Sequence, residues 1–204
     1  MLGAGAWGTA LGIVLARHGH GVRLWTRRAD HAAELAALRS NARYLPDLVL
    51  PGAVSVHADL AAALDGAAAV LSAVPVAGLR ATLQAARPHL RGQDLAGASK
   101  GVERGTLARP GQIAAQVLGA SAPWAVISGP SFAGELALGL PTALAVASAD
   151  AEHAARWGAR LHGGTLRAYP GTDVVGVELA GALKNVLAIA CGIADALGFG
   201  ANAR

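Results

Sequence analysis

Two lysines stand apart in a chain that otherwise uses arginine for its cations. Of the 17 Lys and Arg residues in this 204-residue sequence, only Lys100 and Lys184 are lysines. A guanidinium does not deprotonate in proteins, whereas an ammonium can give up a proton and take it back. Lys184 lies in the apolar segment GALKNVLAIA, which has no carboxylate three or four residues away. We therefore predict that Lys184 transfers a proton. The alternative is an alkyl stem whose charged head lies in water.

Lys100 follows a predicted strand that covers Leu95 to Ser99. Ligands of open α/β sheets bind outside the carboxyl ends of the strands, so Lys100 is predicted to lie at the catalytic edge. An ammonium can give a proton to a carbonyl at neutral pH, while the reverse reaction requires that the lysine first lose its proton. For Lys184, proton donation is therefore favoured at neutral pH and proton removal under alkaline conditions.

A glycine-rich turn opens the chain. Gly3, Gly5 and Gly8 match the G-x-G-x-x-G pattern of dinucleotide-binding sites. In that pattern the glycines permit a tight turn, a close approach of backbone to pyrophosphate, and close packing of helix on strand. The helix that follows offers free N–H groups to the phosphates. We predict that these glycines, together with Ala6 and Trp7, bind NADP(H) or NAD(H); the alternative is an ordinary turn.

The second predicted strand ends in two arginines. NAD-binding proteins usually carry an acidic residue here, which binds the 2′-hydroxyl of the ribose. This chain has Trp25-Thr26-Arg27-Arg28 instead. Guanidinium groups suit a 2′-phosphate. We predict that Arg27 and Arg28 favour NADP(H) over NAD(H); the alternative is a solvated surface pair.

The segment SGPSF follows another predicted strand, Trp124 to Ser128. Gly129 and Ser131 then lie at the same sheet edge as Lys100, where ligands of such sheets bind. The segment could also be a simple chain reversal, with Ser131 as the N-cap of the next helix.

Short apolar strands alternate with amphipathic helices along most of the chain. This alternation predicts an α/β fold, a Rossmann-type doubly wound and mostly parallel sheet. Further strands are expected at Val54–Val56, Ala69–Val74, Thr142–Ala147 and Thr165–Tyr169, and helices at Thr9–His18, Asp30–Ser40 and from Asp59 onward. From Asp173 to Ala196 the sequence is apolar nearly all round, which is typical of a helix buried inside a helical domain.

Two domains follow from this pattern. Residues 1–171 are predicted to form the nucleotide-binding domain, and residues 172–204 the start of a truncated, all-helical substrate domain. Only two residues precede Gly3, although a strand normally has about five or six. We therefore expect that both ends are clipped and that the start codon is misassigned or the coding sequence truncated.

Composition excludes several other functions. The net charge is +4 and the pI about 10.0, but the arginines are scattered, so nucleic acid is not expected as a partner. The single cysteine, Cys191, fits a reduced, cytoplasmic compartment. No membrane span is expected, because Glu178, Lys184, Asn185 and Asp195 interrupt the most apolar stretch. No metal site is expected.

Several motifs together carry a resemblance to a known family. They are LGAGAWGTAL at 2–11, NARYLP at 41–46, SAVP at 72–75, ASKG at 98–101, ISGPSFAGELALGLPTALAVAS at 127–148 and GVELAGALKNVLAIACGIADALGFGANAR at 176–204. With these motifs the chain resembles the bacterial-type NAD(P)-dependent glycerol-3-phosphate dehydrogenases over essentially its whole length.

The resemblance implies an oxidoreductase. Such enzymes interconvert sn-glycerol 3-phosphate and dihydroxyacetone phosphate by hydride transfer with NAD(P)H and feed glycerophospholipid synthesis. It implies that Tyr44 and Ala133 contact the cofactor, in addition to Trp7, Arg27 and Arg28. It also implies that Lys100 reaches both cofactor and substrate, that Gly129 and Ser131 line the substrate site, and that Lys184 is the proton acceptor.

The family continues beyond this chain into a large helical domain that holds the substrate's phosphate. Asn202 and Arg204 do not match the motifs of that domain. The chain could therefore be a truncated, non-catalytic NAD(P)-binding remnant. A dehydrogenase acting on a 2-hydroxy acid is a third reading, which Lys100 and SGPSF disfavour. A homodimer is left open.

Overall fold

The alternating pattern folds into one sheet with helices on both faces in a computed structural model, which describes residues 1–201. The strands are β1 (Val22–Trp25), β2 (Ser40–Asn41), β3 (Leu45–Val49), β4 (Val54–His57), β5 (Ala69–Ser72), β6 (Asp94–Gly97), β7 (Trp124–Ser128), β8 (Thr142–Ala147) and β9 (Leu166–Gly171). The helices are α1 (Ala6–Arg17), α2 (Ala29–Leu38), α3 (Leu60–Leu64), α4 (Val76–Ala86), α5 (Pro110–Leu118), α6 (Ala133–Leu138), α7 (Ala151–Leu161) and α8 (Val174–Ala196), with a 3-10 turn at Arg87–His89.

A single residue, Leu2, occupies the centre of the sheet. It forms parallel bridges to Trp25 of β1 on one side and to Ser72 of β5 on the other. The strand order is therefore β4-β1-Leu2-β5-β6-β7-β8-β9. The chain order reverses at Leu2, which makes this the switch point where α/β sheets bind ligands. The predicted α/β, mostly parallel sheet is confirmed; within residues 1–201, β7–β8 is its one antiparallel pair.

Apolar side chains alternate between the two faces of the sheet, as expected for strands covered on both sides. Leu71, Ala96 and Ile127 join the cluster under α1, α6 and α7. Val70 and Leu95 point the other way, into a cluster that includes residues of α3. Helices α4 and α5 pack together beside it. The strands are thereby fixed with their carboxyl ends along one edge.

The segment after α2 differs from the prediction. The predicted helix Asp30–Ser40 ends at Leu38, because Arg39 adopts a left-handed conformation with φ 51°. Ser40–Asn41 then pairs with β3 in an antiparallel hairpin that the sequence analysis missed. The hairpin carries NARYLP and places Tyr44 in its turn. Helix α1 begins at Ala6, three residues earlier than predicted, with Gly5 as its N-cap.

Helix α8 touches the sheet along one stripe only. Glu178, Gly181 and Ala194 are its buried residues, whereas most of its large apolar side chains are exposed. Within residues 1–201, α8 is therefore not surrounded by other elements. That it is a buried helix of a helical domain stays a prediction. The predicted boundary between 1–171 and 172–204 stays a prediction, and the last three residues of the second range lie outside the described part.

By length and composition alone, α8 could also cross a membrane, with a mean hydropathy of 1.7. One such helix is weak evidence, because core helices of soluble proteins pass the same test. The expectation of no membrane span stays a prediction.

Candidate functional site

The glycine turn has the close contacts that its sequence pattern predicts. Gly3 has φ +103°, which L-residues rarely adopt. A Cβ on Gly8 would lie 1.9 Å from the carbonyl oxygen of Gly3, so only glycine lets α1 pack on the turn. By contrast, a Cβ on Gly5 would meet nothing within 4 Å. The turn is therefore closed on its inner side and open in front of Gly5.

Helix α1 presents a free N-terminus at this turn. Its N-cap, Gly5, has no side chain to accept from the first N–H groups, and its first turn contains no acidic residue. These unpaired amides and the positive end of the helix dipole favour an anion. Trp7 lies in the same turn, and among residues 1–201 its buried Nε1 has no hydrogen-bond partner. This arrangement fits a pyrophosphate, and a dinucleotide cofactor with it.

The two arginines after β1 differ in their contacts with neighbouring side chains. Arg28 donates to both oxygens of Asp30, from Nε at 3.2 Å and from Nη2 at 2.6 Å. This hydrogen bond holds the pKa of the Asp30 carboxyl well below its usual range. Arg27 is exposed and, in the described part of the chain, makes no hydrogen bond or ion pair. Arg27 is therefore the cation available to a ligand, while Arg28 neutralises an acidic residue that the sequence analysis had overlooked.

Tyr44 lies in the hairpin turn with about half of its surface exposed. Its ring meets the edge of the buried His31 ring, with centroids 5.4 Å apart. Tyr44 is also near enough to Arg28 to contribute to that residue's raised pKa, although the Asp30 hydrogen bond contributes most. Tyr44 and the arginine pair therefore belong to one surface region.

Lys100 connects the glycine turn with the SGPSF segment. Its Nζ lies 5.4 Å from the centroid of the Trp7 ring and donates to the carbonyl oxygen of Gly129 at 3.4 Å. Burial, and secondly the charge of Lys184, lower the pKa of Lys100. The two lysines, far apart in the sequence, are thus close enough to influence each other.

Lys184 approaches the same edge from α8. Its Nζ lies 5.2 Å from the centroid of the Phe132 ring. The helix can come this close because Gly181 has no side chain: a Cβ there would be 2.8 Å from Ser128 Oγ and 3.8 Å from Lys100 Cγ. Phe132 was not singled out from the sequence, since an exposed aromatic residue in a loop carries no local signal.

The remaining SGPSF residues lie where the sequence predicts. Gly129 follows β7, and a Cβ on it would be 2.6 Å from the carbonyl oxygen of Ala143. The Ser131 hydroxyl donates to the Gly129 carbonyl at 3.4 Å. Ser131 does not cap α6: the N-cap is Phe132, and the helix begins at Ala133. The cap alternative is therefore wrong, and Ser131 remains available to a ligand.

Glu178 anchors α8 to the sheet domain. Its buried carboxylate accepts from the backbone N–H of Gly111 at 2.5 Å and pairs with Arg109. Burial raises the pKa of Glu178, while the Gly111 and Arg109 contacts oppose that shift. Sequence reasoning recorded Glu178 only as an interruption of an apolar stretch, because its partners lie more than 60 residues away.

These residues form two neighbouring regions rather than one tight cluster. Lys100 contacts both the glycine turn and SGPSF, and Lys184 completes this region. Arg27, Arg28 and Tyr44 form the second region, beyond the end of β1. A glycine-rich turn at the switch point of the sheet, with cations on both sides of it, defines a dinucleotide-binding protein of the Rossmann type.

Comparison with known proteins narrows this class. The sequence model described as NAD-dependent glycerol-3-phosphate dehydrogenase N-terminus matches residues 1–154, and that of the C-terminus matches residues 173–204. The chain belongs to the NAD-dependent glycerol-3-phosphate dehydrogenase family.

Similar proteins confirm the family assignment, and their alignments show what share of each protein matches this chain. This chain is 52% identical to a glycerol-3-phosphate dehydrogenase [NAD(P)+] of Nitrosomonas eutropha and 49% identical to one of Methylobacillus flagellatus. All of this chain aligns in both cases, with 62% of each relative. A crystal structure of glycerol-3-phosphate dehydrogenase from Coxiella burnetii superposes with a TM-score of 0.90 at 42% identity, over 98% of this chain and 62% of that one. The chain therefore spans about three fifths of the length of these relatives.

Proposed function

We propose that this chain supplies the cofactor-binding domain and the first catalytic helix of an enzyme that interconverts sn-glycerol 3-phosphate and dihydroxyacetone phosphate with NAD(P)H. The observation that carries the proposal is the position of Lys100. It contacts the Trp7 ring in the turn that binds the cofactor and the Gly129 carbonyl in the segment assigned to the substrate. A group between these contacts would be within reach of both ligands.

The cofactor would lie along the two regions of the site. The N–H groups after Gly5 would hold its pyrophosphate, and Arg27 would bind a 2′-phosphate, with Tyr44 close by. Ala133 would contact it at the start of α6. When bound, NAD(P)H supplies the hydride for carbonyl reduction or accepts it in the reverse direction.

The chain's own residues would handle charge and protons. Lys184 would give a proton to the carbonyl oxygen of dihydroxyacetone phosphate, and would remove the hydroxyl proton in the reverse direction. Lys100 would bind the substrate beside Gly129 and Ser131, with its positive charge facing the phosphate. Two ammonium groups at one edge suit a dianionic substrate.

The proposed cellular role is also based on the resemblance to this family. We propose a cytoplasmic enzyme that supplies glycerol 3-phosphate for glycerophospholipids, with neither nucleic acid nor membrane as a partner, and with a homodimer as one assembly to test. The alternative is a nucleotide-binding remnant without activity. This alternative needs a test because most of the large apolar side chains of α8 are exposed.

One assay distinguishes the enzyme from the inactive nucleotide-binding remnant. NADPH oxidation with dihydroxyacetone phosphate is measured for residues 1–204 alone and for a chimaera that joins them to the remaining C-terminal part of the Nitrosomonas eutropha relative. Activity in either form supports the enzyme. NADPH binding without activity in both forms would favour the remnant.

Lys184→Arg is the matched variant for the active form. Arginine keeps the positive charge near Phe132 but cannot exchange a proton. We expect turnover to fall by about 10²- to 10⁴-fold, with NADPH affinity unchanged. A loss of less than about tenfold would remove Lys184 from the chemistry.

A further inference from the structure

A chain of buried polar side chains runs behind the cofactor region, and the proposed function does not use it. Asn41 and His31 are 1% and 3% exposed, and Thr9 and Thr26 are buried too. Asn41 Nδ2 donates to the Ala4 carbonyl at 3.0 Å and to Thr9 Oγ1 at 2.7 Å. Asn41 Oδ1 lies 3.2 Å from His31 Nε2.

The chain continues from His31 to the arginine segment. His31 Nδ1 lies 3.4 Å from Thr26 Oγ1, and the backbone N–H of Arg28 donates to that same hydroxyl at 3.5 Å. Thr26 immediately precedes Arg27. An unbroken series of polar contacts therefore joins the arginine segment to the glycine turn.

The partners fix the direction of each hydrogen bond. Since Asn41 Nδ2 donates to a carbonyl, Asn41 Oδ1 must accept, and the ring hydrogen of His31 must be on Nε2. In the neutral ring, His31 Nδ1 is then an acceptor, and the Thr26 hydroxyl donates to it. Every hydrogen bond of the series is satisfied with this tautomer, so replacing one member disturbs its neighbours.

Stability alone does not explain such a network. Buried polar groups that are fully paired add little net stability, and apolar residues of the same shape can replace them at small cost. What the network adds is geometry. It ties the turn between Gly3 and Gly5, the first turn of α1, the hairpin of Tyr44 and the end of β1 to one another. A dinucleotide must span just this separation, from pyrophosphate to adenosine ribose.

We infer that Asn41 and His31 are positioning residues, which hold the glycine turn and the Arg27–Arg28 segment at the separation that the cofactor requires. This inference rests on the proposed binding of NAD(P)(H). Neither residue touches the open space in front of Gly5 directly. They would act through Ala4, through Thr26 and, in the case of His31, through the Tyr44 ring that packs against it.

The test measures the dissociation constants of NADPH and NADH by titration calorimetry for the folded 204-residue chain. Asn41→Asp removes the hydrogen bonds that Asn41 donates to Ala4 and Thr9. His31→Leu removes the ring that connects Asn41 to Thr26. We expect each to weaken both cofactors by about five- to tenfold, because both share the pyrophosphate, and to weaken NADPH at least as much as NADH, because the network also positions Arg27. His31→Gln, whose amide N–H can still donate to Asn41, should bind within about twofold of wild type.

His153→Leu is the matched control. His153 is equally buried, and its Nε2 contacts the Leu95 carbonyl at 2.9 Å, at the opposite end of the strands. Losing this bond should change the free energy of unfolding but neither dissociation constant. A similar loss of cofactor affinity in His153→Leu and His31→Leu would overturn the inference, because it would reflect general destabilisation.

Hydrogen exchange of the free protein gives a second readout. Amides of residues 4–9 should exchange faster in Asn41→Asp than in wild type, while those of α7 should not change. Wild-type affinity in Asn41→Asp and His31→Leu, together with unchanged exchange, would overturn the inference and leave the proposed function standing. If wild type binds neither cofactor, the proposed function fails and the inference fails with it.

Discussion

Lys100 lies over the indole of Trp7, with its Nζ 5.4 Å from the ring centroid. The two residues are more than 90 positions apart in the sequence, and each belongs to a motif of its own. A cation at this distance from an indole face is attracted by the ring quadrupole. The contact therefore joins the glycine turn to the strand edge after β6, and it places a partly buried ammonium close enough to Lys184 for the two charges to interact.

The two lysines give a direct test of this arrangement. Because the chain has only two, a lysine-selective 13C label yields two Cε signals that can be titrated separately. Lys184→Met removes a positive charge that lowers the pKa of Lys100. The midpoint of the remaining signal should therefore move to higher pH. It should stay below that of a free lysine, since burial is the larger cause. An unchanged midpoint would mean that the two ammonium groups do not interact.

Cofactor preference should depend on Arg27 directly and on Arg28 only through its ion pair with Asp30. Arg27→Ala is expected to weaken NADPH binding by about tenfold or more and to leave NADH binding unchanged, because it removes a charge-assisted hydrogen bond to the 2′-phosphate. Arg28→Ala should also weaken NADPH binding, but because it leaves the Asp30 carboxylate without its nearest cation and with only the more distant Arg43, at 3.6 Å, among residues 1–201. The measurement is the NADPH-to-NADH ratio of dissociation constants.

Asp30→Asn distinguishes these two roles. It releases Arg28 from its ion pair and removes a negative charge, so NADPH should bind more tightly than to wild type. Equal losses of NADPH affinity in Arg27→Ala and in the double variant Arg28→Ala/Asp30→Asn would contradict the assignment of Arg27 as the available cation.

Gly5 and Gly8 should respond differently to alanine. Gly5 has φ −75°, and its Cβ would enter open space, so Gly5→Ala should keep the free energy of unfolding within about 0.5 kcal/mol. It should nevertheless weaken cofactor binding strongly, because the methyl group enters the space where the pyrophosphate would lie. Gly8→Ala should lower stability as well, since its Cβ would collide with the Gly3 carbonyl. Urea unfolding and calorimetry on the same samples provide the test, and an intact cofactor affinity in Gly5→Ala would contradict it.

The ion pair between Arg109 and Glu178 should determine how firmly α8 docks. Among residues 1–201, Arg109→Ala leaves the buried Glu178 carboxylate with only the Gly111 N–H as its partner, which should cost about 3 kcal/mol of unfolding free energy. Glu178→Gln in the same background removes the buried charge and should recover part of the loss. Urea unfolding of the single and double variants measures this coupling.

This carboxylate also sets a pH dependence. The folded-state pKa of Glu178 lies above its usual value of 4.5, so the folded state holds its proton more tightly than the unfolded state does. Stability from this group is therefore present at low pH and declines as pH rises through the folded pKa. Arg109→Ala removes a charge that favours the ionised form, so the decline should become larger. An equal pH dependence in wild type and Arg109→Ala would show that the pair is not coupled.

The sequence by itself determined the elements and the class of protein. The glycine spacing, the apolar strands and the amphipathic helices are local patterns, so the Rossmann-type sheet and the phosphate-binding turn could be predicted from them. Family motifs added the predictions that Tyr44 and Ala133 contact the cofactor and that Lys100 and Lys184 act on the substrate. Short elements were harder: β2 and β3 were missed because a left-handed residue, Arg39, ended α2 early.

Only the tertiary structure decided which residues meet. Arg28 forms an ion pair with Asp30, and Glu178 pairs with Arg109 at the start of α5. Asn41 donates to the carbonyl of Ala4 from a hairpin in which no strand was predicted. These contacts depend on the order of strands in the sheet and on how each helix packs over it. No local periodicity encodes them, because a buried polar side chain is satisfied by partners that the fold brings from distant parts of the chain.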